Sequence, residues 1–164
     1  MPEYPRVQVA ELPDAPNPTR HKKEVDEAVG ASAFGFNRYT ADPGQGLPWG
    51  YHAHPDHEEL LYVLAGELAI ETPDGEFRVG ADEAVFVPPG APQHAHAVGD
   101  EPAEVIAVGA PKAADGAVIS EPCPGCGEPT DRTHEEREVD DEPVYVLSCA
   151  ACGAETDRLR AGPG

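Results

Sequence analysis

Two groups of side chains in this chain have the types and spacings that hold metal ions. The first lies in GLPWGYHAHPDHEELLYVLAGE, residues 46–67. His52 and His54 are two residues apart, which in a strand puts both rings on one face. Pro55-Asp56 suits a turn, so the chain can reverse and return Glu59 beside them on the next strand. Two imidazoles and one carboxylate form the ligand set of a facial site for Fe(II), Mn or a related divalent ion, with positions left open for water and substrate. His57 falls in the turn and is expected at the surface, and Glu58 has the opposite parity to Glu59 and faces out. Leu61, Val63 and Ala65 share the face of Glu59, which marks it as a core face rather than an exposed acidic loop.

The second group is Cys123, Cys126, Cys149 and Cys152, two C-x2-C pairs separated by 22 residues. Each pair is followed by a glycine, which lets the backbone turn so that its N–H groups point at the sulfurs. Four thiolates in this pattern make a closed structural Zn site. The N-terminus, MPEYPRVQVAELPD, lacks the apolar core of an export signal, so a metal clip is favoured over disulfides.

These residues need elements to position them. Residues 1–33 are rich in Pro, charge and small side chains and read as an extension, with a helix-like patch at 21–29. From Phe34 onward, short segments alternate with period two and are broken by Gly and Pro every 8–12 residues. Candidate strands are 34–39, 50–54, 60–65, 67–72, 76–79, 84–87, 93–98 and 104–109, with a hairpin at Thr72-Pro73-Asp74-Gly75 in which Asp-Gly supplies the positive φ values. Many short strands at this spacing predict an all-β sandwich or barrel. Residues 110–118 read as a linker into a cysteine-bearing module whose clearest strand is 144–147, with a partner in 133–141.

The first metal-ligand stretch resembles the cupin family. Gly46, His52-x-His54, Glu59 and Gly66 match the spacing of its first motif at every fixed position. The resemblance covers roughly residues 34–112 and implies a double-stranded β-helix, the cupin jelly roll, with a divalent metal (Fe, Mn, Ni or Zn) held by His52, His54 and Glu59. The family's second motif, G-x5-P-x-G-x2-H-x3-N, is only partly present. Pro88-Pro89-Gly90 supplies its P-x-G, but Asp82, Gln93 and Ala97 stand where Gly, His and Asn belong. In the ungapped register Gln93 faces in and is the fourth donor; a one-residue bulge would instead turn His94, with His96, inward. His96 and Trp49, three residues before His52, are the candidates for a substrate pocket, although Trp49 could equally be rim packing. The cysteine module resembles a zinc ribbon. The expected division is therefore 1–33 extension, 34–112 barrel, 113–120 linker and 121–160 ribbon.

Composition narrows the partners. There are 31 acidic against 11 basic residues, a formal charge of −20, which repels nucleic acid and anionic membranes. Such a surface becomes tolerable in molar salt, where the screening length falls to about 3 Å. A salt-adapted cytoplasmic protein is expected. No run approaches the ~18 apolar residues of a membrane span. Leu60, Tyr62 and Leu64 alternate away from the metal face, which suggests a homodimer through the outer sheet or a cover supplied by the extension. The chain thus reads as a cupin binding a divalent metal and a small polar molecule, in an isomerase- or dioxygenase-type reaction if it is an enzyme. The alternative is a non-catalytic ligand sensor whose ribbon contacts a protein partner.

Overall fold

A computed structural model describes residues 3–160, apart from the side chains of Pro48 and Trp49. The second candidate for the substrate pocket, Trp49, therefore lies outside the described side chains. The barrel strands are β2 (Gly35–Ala41), β3 (Gly46–Ala53), β4 (Glu58–Ala65), β5 (Glu67–Thr72), β6 (Gly75–Gly80), β7 (Ala84–Val87), β8 (Gln93–Val98) and β9 (Ala103–Ala110). They are preceded by β1 (His21–Glu24) and a one-turn helix α1 (Val25–Val29), and followed by β10 (Val118–Pro122), β11 (Pro129–Val139), β12 (Glu142–Cys149) and β13 (Glu155–Leu159). One sheet has the order β1-β2-β9-β4-β7 and the other β13-β12-β11-β10-β3-β8-β5-β6, and the paired strands are antiparallel.

Period-two alternation is what places the core. In β9 the residues Ala103, Val105, Ala107 and Gly109 are buried while those between them are half-exposed, and β8 buries Gln93, Ala95 and Ala97 in the same way. These faces meet Tyr39, Leu47, Leu61, Val63, Leu68, Ile70 and Val79 in one cluster. Burial of each large aliphatic side chain contributes about 1.5–3 kcal/mol. Leu61 and Val63 lie inward as their parity demands, but a register shift after Val63 leaves Ala65 exposed. At the next residue, Gly66 has φ +76° and a Cβ there would lie 2.6 Å from the Pro102 carbonyl oxygen. Only glycine fits that approach of β4 to β9.

Two turns differ from expectation. In the β5–β6 hairpin Thr72 pairs with Gly75, so Pro73-Asp74 forms the loop and only Gly75 takes a positive φ. The hairpin with two positive-φ central residues is Asp140-Asp141, between β11 and β12.

The flanking segments are built into the sheets. Residues 21–24, expected to begin a helix-like patch, form β1 and pair with β2 from Asn37 to Thr40. The expected linker holds a short 3-10 helix (Lys112–Ala114), and β10 then joins the barrel by pairing Val118 and Ile119 with Ala53 and His52. One sheet therefore runs from the barrel into the cysteine module. That module's own apolar cluster is small: Ile119, Leu147 and Leu159, with Tyr145 against them.

The tie between α1 and the end of β9 is ionic. Lys112 Nζ reaches the buried Asp26 carboxylate at 2.7 Å and the Ala31 carbonyl at 2.9 Å. Burial alone would raise the Asp26 pKa, but hydrogen bonds from Lys112 and the Phe36 amide outweigh it and hold the carboxyl below its ordinary 3.8. The resulting stability is present above that value and is lost as pH falls through the lower folded value. Asp26→Ala removes the buried partner of Lys112, leaving that cation to Glu27 and the Ala31 carbonyl, and should cost about 1–3 kcal/mol, or about 3–10 °C in Tm. Below pH 3.8 the gap between wild type and variant should narrow. A gap that stays constant on acidification would overturn this account.

Candidate metal centres

The barrel brings His52, His54 and Glu59 together. One ligand atom from each lies within 4.8 Å of the others. His52 of β3 stands opposite Gln93 of β8, His54 follows just beyond β3, and Glu59 is the second residue of β4. The Gly90 amide, in the P-x-G turn, donates to the His54 carbonyl at 2.7 Å and fastens the second motif to the first.

Backbone carbonyls set the tautomers. His52 Nδ1 donates to the Gly50 carbonyl at 3.0 Å and His54 Nδ1 to the Asp115 carbonyl at 2.9 Å. Each ring therefore carries its lone pair on Nε2, the form that ligates a metal. Burial pushes the His52 pKa down to about 4, so the ring is neutral at ordinary pH. Burial raises the Glu59 carboxyl, with His54, His57 and Lys22 acting in the opposite sense.

The decisive observation is what these groups lack. His52 Nε2, Glu59 Oε2 and Gln93 Oε1 are all buried and have no hydrogen-bond partner among the described residues. Buried polar atoms are nearly always paired, and each one left alone costs about 1–3 kcal/mol. A nitrogen lone pair, a carboxylate oxygen and an amide oxygen are all acceptors, so two of them cannot satisfy each other. A cation can satisfy all three, and the donor set present fits a divalent metal.

Strand β8 keeps the ungapped register. Gln93 is 3% exposed and turned inward. His94 and His96 lie on the opposite face. Both readings that turned them inward, His94 as the fourth barrel ligand and His96 as a pocket residue, are corrected by this register. At the position of the missing motif glycine, Asp82 has φ +65°. The turn still needs the left-handed conformation, and Asp is among the few side chains that tolerate it.

His57 is not at the surface. It is 5% exposed, and its Nδ1 donates to the Pro111 carbonyl at 2.9 Å. Its ring fills the space over Gly109, where a Cβ would lie 1.9 Å from Nε2. Spacing alone placed it in a turn; the chain after β9 comes back over that turn and buries it. Glu58 is exposed, as its parity required. Tyr39 carries no signal in the sequence, yet its phenol is fully buried, with a pKa raised first by burial and then by the Glu59 charge.

Across the C-terminal module the four sulfurs of Cys123, Cys126, Cys149 and Cys152 also lie within 4.8 Å of one another. Gly127 and Gly153 each have a positive φ and donate their amides to the Cys123 and Cys149 carbonyls at 2.8 Å, making two matching turns. The Thr130 hydroxyl, 3.0 Å from Cys149 Sγ, and the Cys152 amide push that thiol down to about 6. Contact with its neighbouring sulfurs pushes Cys126 up to about 12.

Residues 37–109 match the family model described as the Cupin domain. Over this span the barrel is similar to a cupin domain. A curated relative is the tetracenomycin polyketide synthase protein TcmJ of Streptomyces glaucescens, 32% identical over 100 residues. The match spans 59% of this chain and 66% of that protein, just under two thirds of its length. A sugar phosphate isomerase of the cupin superfamily from Silicibacter pomeroyi superposes with a TM-score of 0.58 at 21% identity, over 93% of this chain and 92% of its own. The polyketide cyclase RemF from Streptomyces resistomycificus superposes at 0.54 and 24% identity, over 66% of this chain and 80% of its own. At these identities the two structures establish the cupin fold alone.

The His57–Gly109 contact of this barrel generates a test. Gly109→Ala should cost about 1–3 kcal/mol by overpacking, and adding His57→Ala should recover part of that loss, a coupling read from thermal melts. Strictly additive losses would show that His57 does not occupy this space.

Proposed function

We propose that the cupin barrel holds one divalent first-row metal ion through His52, His54 and Glu59, with Gln93 as a fourth, weaker donor, and that a small carbonyl- or carboxylate-bearing molecule binds at its open positions. The observation that carries this reading is the trio of buried, unpartnered acceptors His52 Nε2, Glu59 Oε2 and Gln93 Oε1. When bound, the ion would supply Lewis-acid polarisation or O₂ activation, the chemistry of an isomerase- or dioxygenase-type reaction. TcmJ is by name a polyketide synthase protein. Polyketides, like sugar phosphates, carry carbonyl groups, which is the substrate chemistry a Lewis-acidic centre favours.

The chain's own residues have defined parts in this reading. The Gly50 and Asp115 carbonyls hold the two imidazoles in the ligating tautomer. Glu59, its carboxyl raised by burial, brings a carboxylate oxygen within 4.8 Å of a nitrogen of each imidazole. Gln93 has no proton to exchange at neutral pH, so it can ligate or orient but cannot serve as acid or base. The apolar walls supplied by Leu61, Val63, Ala95 and Ala97 exclude water around the polar groups.

We also propose that the cysteine quartet holds a structural Zn ion and that the module is a zinc ribbon. Its small apolar cluster supports this, because about forty residues bury too little surface to fold alone. Metal analysis of the purified chain tests both sites. His52→Ala should lower the metal content by one equivalent while zinc at the cysteines persists, and Cys149→Ser should remove the structural zinc. An unchanged metal content in His52→Ala would sink the barrel reading.

We infer, finally, that the outer face of β4 and β7 meets a second copy of this chain. Phe36, Val108, Leu60 and Phe86 form one cross-strand row, in which Leu60 is 40% and Phe86 54% exposed. The N-terminal strand β1 lies at the opposite edge of that sheet and leaves the β4–β7 end to another partner. Light scattering on a sizing column should give a dimer for wild type and a monomer for Phe86→Glu. A wild-type monomer at tens of micromolar would overturn it.

A further inference from the structure

We propose that Glu71, His94 and His96 form a second metal site, on the outer face of the barrel sheet, suited to a borderline first-row divalent ion of which Zn²⁺ is the foremost. One ligand atom from each residue lies within 4.8 Å of the others. The register of β8 is what creates the cluster. With Gln93 turned inward, His94 and His96 stand two residues apart on the outer face, and Glu71 of β5 is directly opposite His94.

The neighbours leave room for an ion. Ala69 of β5 and Gly46 of β3 are the cross-strand partners of His96, one on each side. A Cβ on Gly46 would lie 2.7 Å from His94 Nε2, so the absence of a side chain there is what admits the His94 ring. The two imidazole centroids are 5.8 Å apart with planes tilted by 38°. His94 Nδ1 is 3.9 Å from Glu71 Oε2, too far for a hydrogen bond but a separation that a shared ion would bridge. His96 Nδ1 is buried and has no hydrogen-bond partner. Two imidazoles and a carboxylate suit Zn²⁺ or its neighbours rather than Mg²⁺ or Ca²⁺.

The site sits at a seam. His94 lines two clefts between the barrel and the segment entering the cysteine module, with volumes of about 330 and 490 Å³. Glu121 of β10 borders both clefts, and its carboxylate accepts the Tyr51 amide at 2.9 Å. It adds negative charge beside the site without being free to turn. The β8 donors divide between the two centres, because Gln93 faces inward while His94 and His96 project from the opposite face of that strand.

Equilibrium dialysis of the full chain against buffered Zn²⁺, followed by metal analysis, tests the assignment. Wild type should bind one equivalent more than the His94→Ala/His96→Ala double variant. His52→Ala/His54→Ala should retain that equivalent, so failure of the barrel reading and failure of this one are separable. Glu71→Gln should weaken the affinity of the same equivalent by about tenfold or more, since even outer-shell partners of metal ligands cost that much. A double variant that binds as much Zn²⁺ as wild type overturns the proposal. So does a wild-type protein whose His94 and His96 imidazole NMR signals do not move on addition of Zn²⁺, a measurement that needs no variant to fold.

Discussion

The barrel is organised around a polar centre that cannot satisfy itself. His52, Glu59 and Gln93 place three buried acceptor atoms in the interior, without a hydrogen-bond partner among the described residues. The barrel core is otherwise apolar, with Ala95, Ala97, Ala103 and Ala107 among its small members. Burying such a centre is costly without a cation, and that cost explains much of the surrounding architecture. Gly50 and Asp115 fix the imidazole tautomers, the P-x-G turn is hydrogen-bonded to His54, and the chain after β9 folds back over His57.

The same economy appears at the edges of the fold. The N-terminal segment and the linker are not loose appendages. Strand β1 extends one sheet, β10 extends the other, and Lys112 joins Asp26 and Glu27 to the end of β9. Asn17, buried beside Thr19, donates its amide to the Arg160 carbonyl, so the first and last described segments also touch. The cysteine module shares a sheet with the barrel, and β10 is the strand common to both. His52 of the barrel and Ile119 of β10 face each other in the β3–β10 ladder.

Departures from the family pattern are informative because each has a local cause. Asp82 replaces a glycine where a positive φ is still required, and it is among the side chains that can adopt one. Gln93 replaces a histidine yet keeps its inward place and presents an oxygen to the pocket. His94 and His96 are displaced outward by the same register and meet Glu71 there. One unshifted strand thus turns Gln93 into the barrel and gives the outer face a cluster of its own.

The all-β class, most strand positions and the grouping of His52, His54 and Glu59 were legible in the sequence. Each rests on local periodicity and on fixed spacing across a single turn. The pairing of the two C-x2-C motifs was legible for the same reason, since metal chemistry restricts which residues can sit that way. Three things belonged to the tertiary structure. It decided the register of β8, and hence whether Gln93 or His94 faces the pocket, because a one-residue slip is invisible to a period-two pattern. It buried His57 and Tyr39, which depend on chain returning from Pro111 and on the packing of β2 against β9. It also joined the flanking segments to the two sheets. Periodicity reports which face of a strand is apolar; it carries no information about which distant strand will cover that face.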